Sequence, residues 1–134
     1  QLFRSMVLNV LGGNVDDPNK TFSFLMGDDG HWRVAPPYDY TFSVDPDAPY
    51  YVNRHSMTVN NKTEGITAED LLEVARRYGI KAAEPFIEKA IGIVSHYPEY
   101  GREAGVGEEW IGTIEKEIAA RIECVSDNRA DRLK

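Results

Sequence analysis

The run Asn14-Val15-Asp16-Asp17-Pro18-Asn19-Lys20-Thr21 sets two carboxylates, an ammonium and several small polar groups close together, with Phe22-Ser23-Phe24-Leu25-Met26 behind it. A second isolated acid, Asp39, lies 23 residues beyond Asp16. Phosphoryl transfer needs little more than such a set: an acid at the acceptor hydroxyl, a cation beside the transferred phosphate, and oxygen ligands for magnesium. In the protein-kinase arrangement a catalytic-loop Asp is followed five residues later by an Asn that holds metal, and a further metal-holding Asp lies beyond it. Here Asp16 takes the first place, Lys20 stands four residues on and Thr21 five, and Asp39 follows a turn-rich stretch. Spacing alone leaves the plainer reading open, in which Asn14, Asp16 and Asp17 are turn and cap residues and Asp39 is a loop hydrogen-bonder.

Loops held between rigid elements are where chemistry tends to sit, so the flanking elements matter. Upstream, Leu2, Phe3, Met6, Val7, Val10 and Leu11 recur at helical spacing. Gly12-Gly13 ends that helix, because glycine takes a left-handed C-cap at little cost. Downstream, residues 21–26 read as a strand, Gly27-Asp28-Asp29-Gly30 as a turn, and His31 to Ala35 as the return strand with Trp32 and Val34 on one face. Pro36-Pro37 ends the hairpin and forces an extended exit towards Asp39.

Tyr38 to Asn53 has no helical period and reads as a long ordered loop, with Tyr38, Tyr40, Tyr50, Tyr51 and Phe42 as its apolar anchors. His55 to Val59 suggests a short strand and Asn60-Asn61-Lys62 a turn. The remainder is helical. Thr67-Ala68-Glu69-Asp70 resembles a capping box, and Gly79 closes the helix it opens. A second helical region runs from Ile80 to Tyr97, with Pro85 in its first turn and Pro98 as its stop. Gly101 to Gly107 is the expected connector, and a third helix from about Glu108 carries Ile111, Ile114, Ile118 and Ile122 as a core stripe. From Asp127 a charged, frayed tail is expected.

With 134 residues, 42% hydrophobic and 28% charged, the chain fits one globular domain, 1–134, able to bury a core. Its start carries no signal-peptide pattern, and no apolar run approaches the roughly 20 residues of a membrane span. The missing initiator Met suggests a piece of a longer protein. A formal net charge of -7 disfavours direct nucleic-acid binding, since phosphate backbones are repelled. The single Cys124 excludes an internal disulfide and favours a cytoplasmic setting. His31, His55 and His96 lack metal-ligand spacing and read as ordinary hairpin or surface residues, with His55 the one to watch.

Gly13-Asn14-Val15-Asp16-Asp17, Lys20, Phe22 to Met26 and Trp32-Arg33-Val34-Ala35-Pro36-Pro37-Tyr38-Asp39 together resemble the C-terminal part of HipA-type serine/threonine kinases, as do Arg54-His55-Ser56-Met57 and Gly65 to Leu72. These are the toxin kinases of bacterial toxin–antitoxin pairs. The resemblance implies an α+β, mostly helical chain equivalent to a protein-kinase-like C-terminal lobe, with a β-hairpin carrying the site and a helical bundle supporting it. It implies ATP and magnesium as cofactors and transfer to a protein serine or threonine. By resemblance, Asp16 orients or deprotonates the acceptor hydroxyl and Lys20 lies beside the transferred phosphate. Asn14 and Lys20 face the nucleotide, and Asp39 with Thr21 holds the metal. Thr21 stands where the family has a metal-binding asparagine and Pro18 where it usually has histidine. The implied partners are a protein substrate, for which an aminoacyl-tRNA synthetase is the family's example, and a small DNA-binding antitoxin.

The chain has no glycine-rich phosphate loop and no N-lobe lysine ahead of Gln1, so by itself it is expected to be inactive. The competing reading is a non-catalytic pseudokinase-like or self-associating module. Without its other lobe it would expose apolar surface around the hairpin and the tyrosine-rich loop, and could form a homodimer there.

Overall fold

The computed structural model describes residues 1–130. It is an α+β chain dominated by helix, in the order α1 (Leu2–Gly12), β1 (Phe24–Met26), β2 (Trp32–Val34), α2 (Ala68–Arg77), α3 (Ala83–Val94), α4 (Tyr97–Glu103) and α5 (Glu108–Ala130), with a 3-10 turn at Tyr50–Asn53. Helix α1 is central and packs against α3 and α5, while α2 closes over the same two helices and α4 leans on α5. Phe3, Val7, Val10 and Leu11 from α1 meet Leu71 and Ala75, Ile87 and Ala90, and Val125 in one core. The expected isoleucine stripe is in place, with Ile111, Ile114 and Ile118 buried and Ile122 packed on the core.

Local sequence explains most element ends. Gly13 caps α1 in the left-handed region (φ 69°) and its N–H reaches the Asn9 carbonyl. Thr67 and Asp70 form a reciprocal capping box on α2. Asn60 and Asn61 both take positive φ, as a tight hairpin turn requires, and Val59 bridges Lys62 across them. In the hairpin, Phe24 faces Val34, Leu25 faces Arg33 and Met26 faces Trp32. The Ala35 amide extends the ladder to the Ser23 carbonyl, and the Ser23 hydroxyl meets the Tyr38 hydroxyl at the base.

Four expectations are corrected. Pro98 does not stop a long helix. The second helical region ends at Val94, and Pro98 sits in the first turn of α4, where a missing N–H costs nothing. Gly101 is not in a connector but inside α4, buried against the Ile111 side chain at 3.1 Å from where a Cβ would stand. His55 to Val59 forms no strand, because the Ser56 and Met57 amides turn to a carboxylate. Tyr50 and Tyr51 do not anchor the long loop. They lie exposed; the expected anchor Phe42 packs against Gly13, and Ser43 and buried Val44 hold the loop beside it. Helix α5 carries the chain through Ala130, and the rest of the expected tail lies outside the described residues. Among the described residues, no helix is long and apolar enough to cross a membrane.

Candidate active site

The polar loop leaves α1 at Gly13 and is fixed at once. A Cβ on Gly13 would stand 3.0 Å from the Phe42 ring, so the bare glycine lets the two loops touch. The Ser43 amide donates to the Gly13 carbonyl. The Ser43 hydroxyl accepts from the Val15 amide at 2.8 Å and the Asp16 amide at 3.0 Å.

Asn14 is buried and ties three segments together. Its side-chain amide donates to Asn9 Oδ1 at 3.0 Å and to the Asp39 backbone carbonyl at 3.3 Å, and its carbonyl oxygen accepts from the Ser43 hydroxyl. The loop beginning at Asn14 and the hairpin exit at Asp39 are therefore joined through one side chain. Asp39 itself holds φ 59°, a left-handed conformation uncommon for a residue with a Cβ and frequent at functional sites.

Of the residues singled out in the sequence, Asp16, Lys20 and Asp39 are exposed, and their charged ends have no protein partner among the described residues. Thr21 is half-buried and its hydroxyl donates to the Pro18 carbonyl at 2.8 Å, within a turn also closed by its own amide. The structure thus links Asn14 to Asp39, with Asp16 two residues along the same loop, while among the described residues neither Lys20 nor Thr21 is hydrogen-bonded to Asp39.

Asp17, treated in the sequence as one more turn acid, has a distinct place. It is 3% exposed, and its carboxylate accepts from His55 Nδ1 at 2.8 Å, the Ser56 amide at 2.9 Å and the Met57 amide at 3.2 Å. His55 is equally buried, and among the described residues its Nε2 has no hydrogen-bond partner. Arg121 of α5 lies nearby with its Nε unpartnered. Burial pushes its guanidinium pKa down, against the pull of Glu117, Cys124 and Asp17. No local signal joined Asp17 to His55, which are 38 residues apart. The Arg54-His55-Ser56-Met57 motif pointed to the right segment without giving its partner.

The model of the HipA-like C-terminal domain family matches residues 1–120. The chain belongs to that family. The loop, the hairpin with its Pro-Pro-Tyr-Asp exit, the Asp17–His55 pair and α1 to α4 all fall inside the matched HipA-like region. No curated protein and no solved structure matches the chain.

Among the described residues no group of three or more His, Cys, Asp or Glu side chains could hold a metal. Magnesium does not require such a cage, since one or two carboxylates suffice when substrate phosphates and water complete its shell. Of the two oxygens expected to hold it, the Asp39 carboxylate is a hard donor without a protein partner among the described residues, while the Thr21 hydroxyl is already engaged with the Pro18 carbonyl.

Proposed function

We propose that this HipA-like domain is the C-terminal lobe of a serine/threonine protein kinase that transfers the γ-phosphoryl group of ATP to a protein hydroxyl. The observation that carries this reading is the Asn14 bridge. It joins the Asp16 loop to the left-handed Asp39, and among the described residues both carboxylates are left without a partner. Carboxylates on loops tied to each other and not spent on internal hydrogen bonds suit work on a substrate and a cation.

In this reading the Asp16 carboxylate accepts the proton of the serine or threonine hydroxyl as its oxygen bonds to the γ-phosphorus and the bond to the ADP oxygen breaks. Lys20 offsets the charge on the transferred group, and Asn14 and Lys20 face the nucleotide. Asp39, with the Thr21 hydroxyl, would hold magnesium, which neutralises phosphate charge when bound. The chain has no glycine-rich phosphate loop, so the remaining nucleotide contacts would come from a second lobe. The setting is cytoplasmic, and the partners are a protein substrate, an aminoacyl-tRNA synthetase being the family's precedent, and a small DNA-binding antitoxin.

The test is transfer of labelled γ-phosphate by the full-length protein that carries this domain. The wild type labels serine or threonine, and Asp16→Ala reduces transfer by about 10²-fold or more while ATP still binds. Absence of wild-type transfer to itself, to the antitoxin and to aminoacyl-tRNA synthetases would refute the reading.

A second reading has its own observation. Phe24, Leu25, Met26 and Trp32 on the hairpin, with Tyr50, Tyr51 and Val52, are exposed, Trp32 to 67%. Such a patch suits a self-associating or pseudokinase-like module, and the Thr21 hydroxyl already engaged with Pro18 agrees with a weakened metal site.

A further inference from the structure

We propose that His55 is a positioning residue for the catalytic loop, acting through Asp17; this rests on the kinase reading above. Among the described residues the Asp16 side chain makes no hydrogen bond or ion pair, so its place is set by the backbone on either side. Upstream, the Ser43 hydroxyl holds the Val15 and Asp16 amides. Downstream, the Asp17 carboxylate is held by His55 Nδ1 and by the Ser56 and Met57 amides. The proposed base thus lies between two clamps, one on its own amide and one on the next side chain.

The second clamp is the more demanding. Asp17 and His55 are both buried, and a buried carboxylate stripped of one partner keeps its desolvation cost and loses what offset it. Pro18 raises the dependence on it. Proline offers no N–H to tie the loop down, and it restricts the Asp17 backbone to extended conformations. Beside the Val15 carbonyl, which the Ser56 amide also reaches at 3.0 Å, the side chain of Asp17 is then what attaches the loop to the segment 55–57.

The geometry also fixes which ring nitrogen matters. Nδ1 faces Asp17, so the neutral ring carries its proton there and donates it. Nε2 has no hydrogen-bond partner among the described residues. His55 also lines a pocket of about 210 Å³ with Glu64, from the loop ahead of α2, and Glu117, Arg121 and Cys124 from α5. Asparagine places its amide nitrogen close to the Nδ1 position, and glutamine places its own nearer Nε2. His55→Asn therefore keeps the donor to Asp17, and His55→Gln loses it.

The experiment uses the full-length protein with two readouts, Mg-ATP phosphoryl transfer and hydrogen exchange of the Asp16, Ser56 and Met57 amides. Displacement of a catalytic group by about 1 Å can cost about 10²-fold in rate. For His55→Gln the expected result is a kcat about tenfold to 10²-fold lower with KM for ATP within about twofold, and exchange of those amides about tenfold faster. His55→Asn is expected to stay within about threefold of wild type in both. Equal impairment of the two variants, or wild-type kcat and exchange in His55→Gln, overturns the proposal. If the wild type transfers no phosphate, the kinase reading falls, and the exchange comparison still decides whether His55 positions the loop through Nδ1.

Discussion

Asp70 is where the structure permits the sharpest stability prediction. Burial alone would raise its pKa, but the Lys62 ammonium, the Thr67 backbone N–H, the Asn60 amide and the Thr67 hydroxyl together bring it from 3.8 down to about 2. Its Oδ2 takes Lys62 Nζ at 2.7 Å, Thr67 Oγ1 at 2.8 Å and the Thr67 amide at 2.9 Å, while Oδ1 takes Asn60 at 3.0 Å. At about 1.4 kcal/mol per pKa unit, this depression corresponds to about 2 kcal/mol favouring the folded anion. Because the folded pKa is below the unfolded one, that stability is present above pH 4 and is lost as pH falls towards 2. The perturbation is Asp70→Asn, which keeps the volume but puts either an amide NH₂ or a weaker acceptor against three donors. Urea denaturation of wild type and variant between pH 7 and pH 2.5 isolates the effect, since other carboxylates titrate alike in both. The variant is expected to be about 2–3 kcal/mol less stable at pH 7, with the gap closing by about 2 kcal/mol at the acid end. Stability curves that run parallel across the whole range would refute the assignment of this cluster as an acid-sensitive clamp.

Other expectations follow from single contacts. Gly13→Ala forces a Cβ into the left-handed region and against Phe42, and should cost about 1–2 kcal/mol in thermal or denaturant unfolding. Ser43→Ala leaves the Val15 and Asp16 amides without their acceptor and should cost about 1–2 kcal/mol, with a larger proportional loss of phosphoryl transfer than of ATP affinity. Trp32→Ser removes the most exposed part of the hairpin patch. It should leave monomer stability within about 0.5 kcal/mol while reducing any self-association seen by sedimentation.

Features set by neighbours in sequence were readable in advance. Glycine at the end of α1, the Gly-Asp-Asp-Gly turn, the capping box at Thr67 and the stripe on α5 all depend on a few consecutive residues, and each appears where periodicity put it. The tyrosine-rich loop was legible as an ordered loop but not in its anchors. Large aromatic residues promised burial, whereas the small Ser43 hydroxyl, meeting two amides, does most of the fixing. Proline 98 was ambiguous for a physical reason, since the residue that cannot continue one helix is well suited to begin the next. At the candidate site, residue type and spacing could single out Asp16, Lys20 and Asp39 as candidates. They could not show the division of labour between the adjacent acids. Asp16 and Asp17 are identical side chains, and only the fold sends one to solvent and the other to His55.

Magnesium-dependent nucleotide binding is the property that a kinase lobe of this kind most directly requires. Titrating the full-length protein with ATP, with and without magnesium, measures it. The expected result is affinity that rises with magnesium and loses that dependence in Asp39→Ala, with Asp16→Ala binding as wild type does. A wild-type protein that binds no ATP in the presence of magnesium, or whose affinity is unaffected by Asp39→Ala, would contradict the kinase reading.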